Sequence, residues 1–162
     1  MKTILLSALA LIVFSASNAQ TTTATASQTV TLNLQNQIDI AVVAGTATGV
    51  NFVFDSPADY AAGITNTNAS QFLVRSNKAW NVTVAAATAN FTSTAATAMP
   101  SNKLGVRLAN GTTYNQLSTT AVNLTTGARG SGNFTVDYNA NPGFTYDAGA
   151  YALSVVYTAT QQ

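Results

Sequence analysis

Five aspartates, Asp39, Asp55, Asp59, Asp137 and Asp147, are the only carboxylate side chains in the sequence, and any acid–base chemistry has to begin with them. Hydrolysis of a glycosidic bond needs two carboxyl groups facing each other across the sugar. Asp55 and Asp59 are near neighbours, but both fall in the turn-forming stretch Asp55-Ser-Pro57-Ala-Asp59, where short carboxylates hydrogen-bond backbone amides. The same pair with backbone carbonyls is a chemically allowed calcium site, although its spacing matches no calcium-loop motif. Ser76-Asn77-Lys78 and Ser101-Asn102-Lys103 repeat one tripeptide. A Ser–Lys dyad requires a desolvated, neutral lysine, and polar turns solvate lysine instead. A lysine–asparagine cross-link, of the kind some surface adhesins form, needs a buried acid beside it, and the sequence singles none out. The chain has no His and no Cys. That removes imidazole and thiolate zinc sites, cysteine nucleophiles and the Ser-His-Asp triad, and with them disulfides and lipidated cysteines. The expectation is a protein with no catalytic residues, no cofactor and no metal.

Aromatic side chains are the remaining candidates. Trp80 is the single tryptophan, accompanied by six tyrosines. Exposed rings of this kind stack on sugars, so Trp80 is a candidate glycan-stacking platform. It also opens the alternating run Trp80, Val82, Val84, which favours a place in the core. Asn-X-Ser/Thr occurs at Asn68, Asn81, Asn90, Asn110, Asn123 and Asn133, as expected by chance in a chain this rich in Asn and Thr, and matters only in a host that glycosylates.

The elements that carry these residues follow an N-terminal export signal. Lys2 supplies a positive charge, Ile4 to Phe14 is an apolar run, and Ser15–Ala19 offers small residues for cleavage after Ala19. The run is shorter than the ~20 residues needed to cross a bilayer. No other segment approaches that length, so no membrane span is expected in the mature chain. Loss of Lys2 leaves five basic residues against five Asp. A surface of zero net charge offers no electrostatic footprint for nucleic acid and does not repel its own copies. The expected organisation is a signal peptide over 1–19, a flexible polar leader over 20–29 and one domain over 30–162.

That domain reads as strands. Val30, Leu32, Leu34, Ile38, Ile40 and Val42 alternate with polar residues and are broken only at Asn36, which predicts strand with one buried face and a bulge or bend at the break. Val50, Phe52 and Phe54 continue the pattern. Further strands are expected around Gln71–Val74, Trp80–Val84, Leu104–Leu108, Val122–Gly127, Phe134–Tyr138 and Tyr151–Tyr157, separated by turns such as Asn110-Gly111 and Pro142-Gly143. The fold class is therefore all-β, an antiparallel immunoglobulin-like β-sandwich after the signal peptide.

Three segments also resemble WxL-type surface domains: Trp80-Asn-Val82-Thr-Val84, Gly127-Ala-Arg-Gly130-Ser-Gly132-Asn-Phe134, and Ala148-Gly149-Ala-Tyr151-Ala-Leu153-Ser-Val155-Val-Tyr157-Thr158. The resemblance implies an extracellular β-sandwich attached noncovalently to the cell envelope. A second, looser likeness is to pilin-like and spore-coat-like secreted sandwiches, in which one subunit's N-terminal strand joins the groove of the next. It implies that role for Gln20–Gln35, with Val30, Leu32 and Leu34 as the candidate assembly strand. Together these readings give an exported, non-catalytic structural protein, secreted or at the cell surface (extracellular or periplasmic), acting through self-association or contact with other surface proteins. The alternative is a module that binds peptidoglycan or another cell-wall glycan. Whether Val30–Leu34 pairs within its own sheet separates a self-contained module from a subunit of a polymer.

Overall fold

A computed structural model describes residues 22–46 and 49–162. The expected signal peptide lies outside the described residues. The chain divides into two units, one ending at Asn33 and the other spanning Leu34–Gln162. Residues 22–33 carry no assigned secondary structure, and their side chains are exposed.

The second unit is an all-β antiparallel sandwich. In chain order it contains β1 (Ile38–Val42), the short helix α1 (Pro57–Ala62), β2 (Ile64–Ser76), β3 (Trp80–Ala86), β4 (Thr92–Ser93), β5 (Leu104–Leu108), β6 (Asn115–Gln116), β7 (Val122–Gly127), β8 (Gly130–Ala140), β9 (Tyr151–Ala152) and β10 (Val155–Gln161). One sheet has the order β1-β2-β8-β5-β6, the facing sheet β10-β3-β7, and β4 pairs with β9 alone. No helix among the described residues is long and apolar enough to cross a membrane.

Period-two sequence produces the core directly. Trp80, Val82, Val84 and Ala86 are buried along β3, and Phe72, Val74, Val106, Phe134 and Val136 meet them from the other sheet in one cluster. Burying each such side chain contributes about 1.5–3 kcal/mol relative to leaving it in water.

The strand registers define two ends. Ile38 pairs with Ser76, Ser76 with Gly130, Trp80 with Gly127 and Gln161 with Trp80, so these residues share one end, called here the lower end. Ile64 pairs with Ala140, Leu104 with Ala140, and Val155 with Ala86, which form the upper end. At the lower end Trp80 lies between the sheets. A Cβ added at Gly127 would overlap its indole, and one at Gly132 would stand 2.7 Å from Cζ2. The two glycines, one on each sheet, leave the space that the ring fills.

β2 carries a bulge between Asn66 and Ser70. Asn68 there has φ of 52°, and its N–H donates to Asp137 Oδ1 at 2.8 Å. Asp137 Oδ2 accepts from Arg107 Nε at 3.1 Å and lies 3.0 Å from Nη2. Arg107 in turn lies 4.4 Å from the Tyr114 ring centroid. Asp137 is 1% exposed, and these partners supply the hydrogen bonds that a buried carboxyl needs.

Several elements differ from the sequence expectation. The strand expected from Val30 starts only at Ile38, because alternation marks a face but a strand also needs a partner for its N–H and C=O groups. Val50–Phe54 keeps alternating burial without belonging to a strand. The Asp55–Asp59 turn contains α1: Ser56 caps it, Asp59 completes a capping box, and Pro57 starts it. Tyr151–Tyr157 is split at Leu153–Ser154, where the chain leaves β4 and joins β3.

Gly127→Ala is expected to destabilise the fold by about 1–3 kcal/mol through overpacking against Trp80. Gly49→Ala is the control, since nothing lies within 4 Å of the added methyl. Urea unfolding midpoints compare the two. Equal midpoints would show that the Gly127–indole contact does not constrain packing.

Candidate assembly site

β10 is an edge strand, hydrogen-bonded to β3 on one side only. Val155, Tyr157 and Ala159 turn toward the core and Val156, Thr158 and Thr160 away from it. Beside this edge a cavity of about 910 Å3 opens between the sheets. Phe72 of β2, Tyr138 of β8, and Val155 and Tyr157 of β10 line it, together with Val50, Phe52 and Phe54 from the unpaired segment and the loop after β8. An unpaired edge beside a cleft provides backbone groups to bond an incoming strand and space for its alternate side chains.

The cleft has a polar contact in its floor. The hydroxyls of Tyr138 and Tyr157 lie 2.6 Å apart and join the two sheets. The Tyr157 ring is 4.3 Å from that of Phe72, which stacks on Phe134 at 5.1 Å. Burial raises both phenols above the ordinary tyrosine value, Tyr157 by far the more. The neighbouring Tyr138 raises Tyr157 further, whereas the bond from Tyr157 partly offsets the shift at Tyr138.

At the lower end a polar clamp joins the two sheets. Gln37 N–H donates to Asn77 Oδ1 at 2.9 Å, and Asn77 Nδ2 donates to Gln35 O at 2.7 Å. Gln161 Nε2, at the end of β10, donates to Gln37 O, Asn77 Oδ1 and Ser76 Oγ at 2.7, 2.9 and 3.1 Å. Gln35–Gln37 are thereby fixed to both sheets. Val30, Leu32 and Leu34 precede this point in the chain, outside any strand and 75%, 77% and 85% exposed.

Most of the chemically reactive side chains sit apart from the cleft or are held by structural bonds, and Lys103 lines it. Asp39 pairs with Arg75 at 2.6 Å on the surface. Asp59 Oδ2 accepts from Ser56 N–H and Oγ at 2.9 and 2.7 Å, bonds that lower its pKa, and Asp55 lies beside it at the start of α1. Asp147, in the cleft wall, accepts from Thr97 N–H and Oγ1 at 3.2 and 2.7 Å. Among the described residues no group of three or more Asp converges to hold a metal. In the repeated tripeptides, Ser76 Oγ accepts from Lys78 N–H, and Ser101 Oγ donates to Leu117 O. Trp80 is 3% exposed, which makes it a core residue and removes it as a stacking platform.

Asn77, Gln161 and the Tyr138–Tyr157 pair were not distinguishable in the sequence as contributors to the site. Asn77 sits in an ordinary polar turn, and its partner Gln161 is 84 residues away. The hint for the tyrosines was their inward position in two alternating runs.

No protein-family model matches the chain, and no curated protein matches it. A chain from a solved structure of a chaperone-usher pilus aligns over 87% of this chain and 99% of its own length, with 12% identity and a TM-score of 0.45. Similarity at that level does not bear on function.

Alkaline titration tests the buried phenols. Their folded pKa values exceed the unfolded value of about 10, so their contribution to stability is complete below that pH and is lost as pH rises through the folded values. The phenolate absorbance of Tyr138 and Tyr157 should rise in a late step coincident with unfolding. Tyr157→Phe should remove one phenol from the late step. Ionisation of Tyr138 and Tyr157 near pH 10, with the fold intact, would contradict the buried pair.

Proposed function

We propose that this chain is an exported, non-catalytic structural protein of the cell surface that joins to further copies of itself. The segment bearing Val30, Leu32 and Leu34 adds as a strand along the β10 edge of a neighbouring copy and inserts its apolar side chains into the cleft.

One observation carries the reading. Three large apolar residues at strand spacing are exposed in a chain whose folded unit has an unpaired edge strand beside a cleft lined by Phe72, Val155 and Tyr157. Soluble proteins blunt such edges with charge, proline or a covering element. Here β10 carries no charged residue and no proline. Burial of the three side chains contributes about 1.5–3 kcal/mol each before the cost of ordering the segment. The export signal and the lack of His and Cys agree with a role outside the cell that depends on contact rather than turnover.

Light scattering of the exported chain tests the proposal. The intact chain should form species whose mass grows with concentration. The triple change Val30→Asp, Leu32→Asp and Leu34→Asp should leave monomers, because it places carboxylates where apolar side chains must be buried. Monomers from both at high concentration would overturn it, as would equal assembly of both.

A further inference from the structure

The folded unit has oppositely charged ends. Leu34–Gln162 contains five basic residues and five Asp. Arg107 is paired with Asp137 and Arg75 with Asp39, so both pairs cancel locally. Lys78 and Arg129 remain at the lower end. Lys78 lies in the turn between β2 and β3, and Arg129 in the turn between β7 and β8. These turns are neighbours, because β2 pairs with β8 and β3 with β7. Both side chains are exposed. At the upper end are Asp55 and Asp59 beside α1, Asp147 in the loop after β8, and Lys103 just before β5. The unpaired charge is therefore +2 at one end and −2 at the other.

The acidic end also carries an aromatic stack. Tyr60 lies 5.3 Å from Phe54 on one side and 5.3 Å from Phe144 on the other, and Phe144 is 69% exposed. A face of this kind suits an arginine, which can lie on a ring and meet a carboxylate.

We propose that the two ends are complementary docking faces, with Lys78 and Arg129 of one copy seated on the Phe144–Tyr60 stack and acidic rim of the next. This rests on the strand-addition reading above, and chain length links the two. Gln35–Gln37 are clamped to their own lower end. Leu34, the last residue of the donated segment, precedes the clamp directly. An extended residue spans at most ~3.6 Å, so a strand inserted in a neighbour's cleft holds the donor's lower end within a few ångströms of it. The cleft reaches the upper end at Tyr60, Lys103, Leu104 and Pro142, and no clamp residue at the lower end lines it. The donor's basic turns therefore meet the acceptor's acidic face, and the chain stacks head to tail.

Assembly rate, followed by light scattering of the exported chain at low and high salt, tests this. The double variant Lys78→Glu and Arg129→Glu should assemble about tenfold more slowly at low salt, since like charges then face each other. The difference should vanish near 1 M salt, where screening acts over about 3 Å. Asp55→Lys should fall between the parent and the double variant, and adding it to the double variant should restore the rate of Asp55→Lys alone. All three residues are exposed and outside the strands, so folding is preserved, and circular dichroism verifies that. A normally assembling parent whose rate is indifferent to these charges, or a slowing that persists at high salt and is not rescued, would overturn end-to-end docking while leaving strand addition standing. A parent that stays monomeric would overturn both.

Discussion

A backbone amide or carbonyl removed from water must find a partner, and that obligation decides which alternating segments of this chain become strands. Trp80–Ala86 lies between two neighbours and is a strand along its whole length, with β7 on one side and β10 on the other. Val50–Phe54 has the same alternation and turns Val50 and Phe52 toward the core, yet it remains outside the sheets. Val30–Leu34 has the pattern with neither burial nor strand pairing. The cleft beside β10 follows from the same obligation, since the three-stranded sheet ends where no further segment pairs.

The interior shows how polar groups are tolerated once every bond is supplied. Asp137 sits on a strand where the neighbouring Val136 and Tyr138 are buried, and it is buried as well, because the β2 bulge and Arg107 cover it. Removing Arg107 alone would strand the carboxylate, a change that costs about 3–5 kcal/mol in comparable buried pairs. The two tyrosine hydroxyls satisfy each other across the sheets in the same manner. Of the two, only the tyrosine contact spans the sheets, so at the cleft it is a polar bond that ties β8 to β10.

Much of the sandwich was legible because burial and alternation coincide. β5 and β7 occupy the residues their patterns mark, Leu104–Leu108 and Val122–Gly127. The first half of β2 was not legible: Ile64–Ser70 is mostly Thr, Asn and Ser, and it is a strand through pairing with β8 rather than through its own face. The helix α1 was hidden inside a stretch that reads as a turn, although Ser56, Pro57 and Asp59 carry a helix-start signature. Of the candidate site, the apolar triplet Val30, Leu32 and Leu34 was visible and its surroundings were not. The edge, the cleft and the clamp arise from residues far apart in sequence, and no local pattern encodes them.

The clamp at Gln35–Gln37 also sets how the fold carries mechanical load. Tension on the chain ahead of Gln35 reaches Asn77 and Gln161 first, and so passes into both sheets at once. Beyond the clamp the pull runs along β1, whose five residues lie antiparallel to β2 from Ile38–Ser76 to Val42–Phe72. Their hydrogen bonds are then strained together in shear instead of opening one after another. A chain with no covalent staple thereby meets a pull at its N-terminal side with a parallel array of bonds.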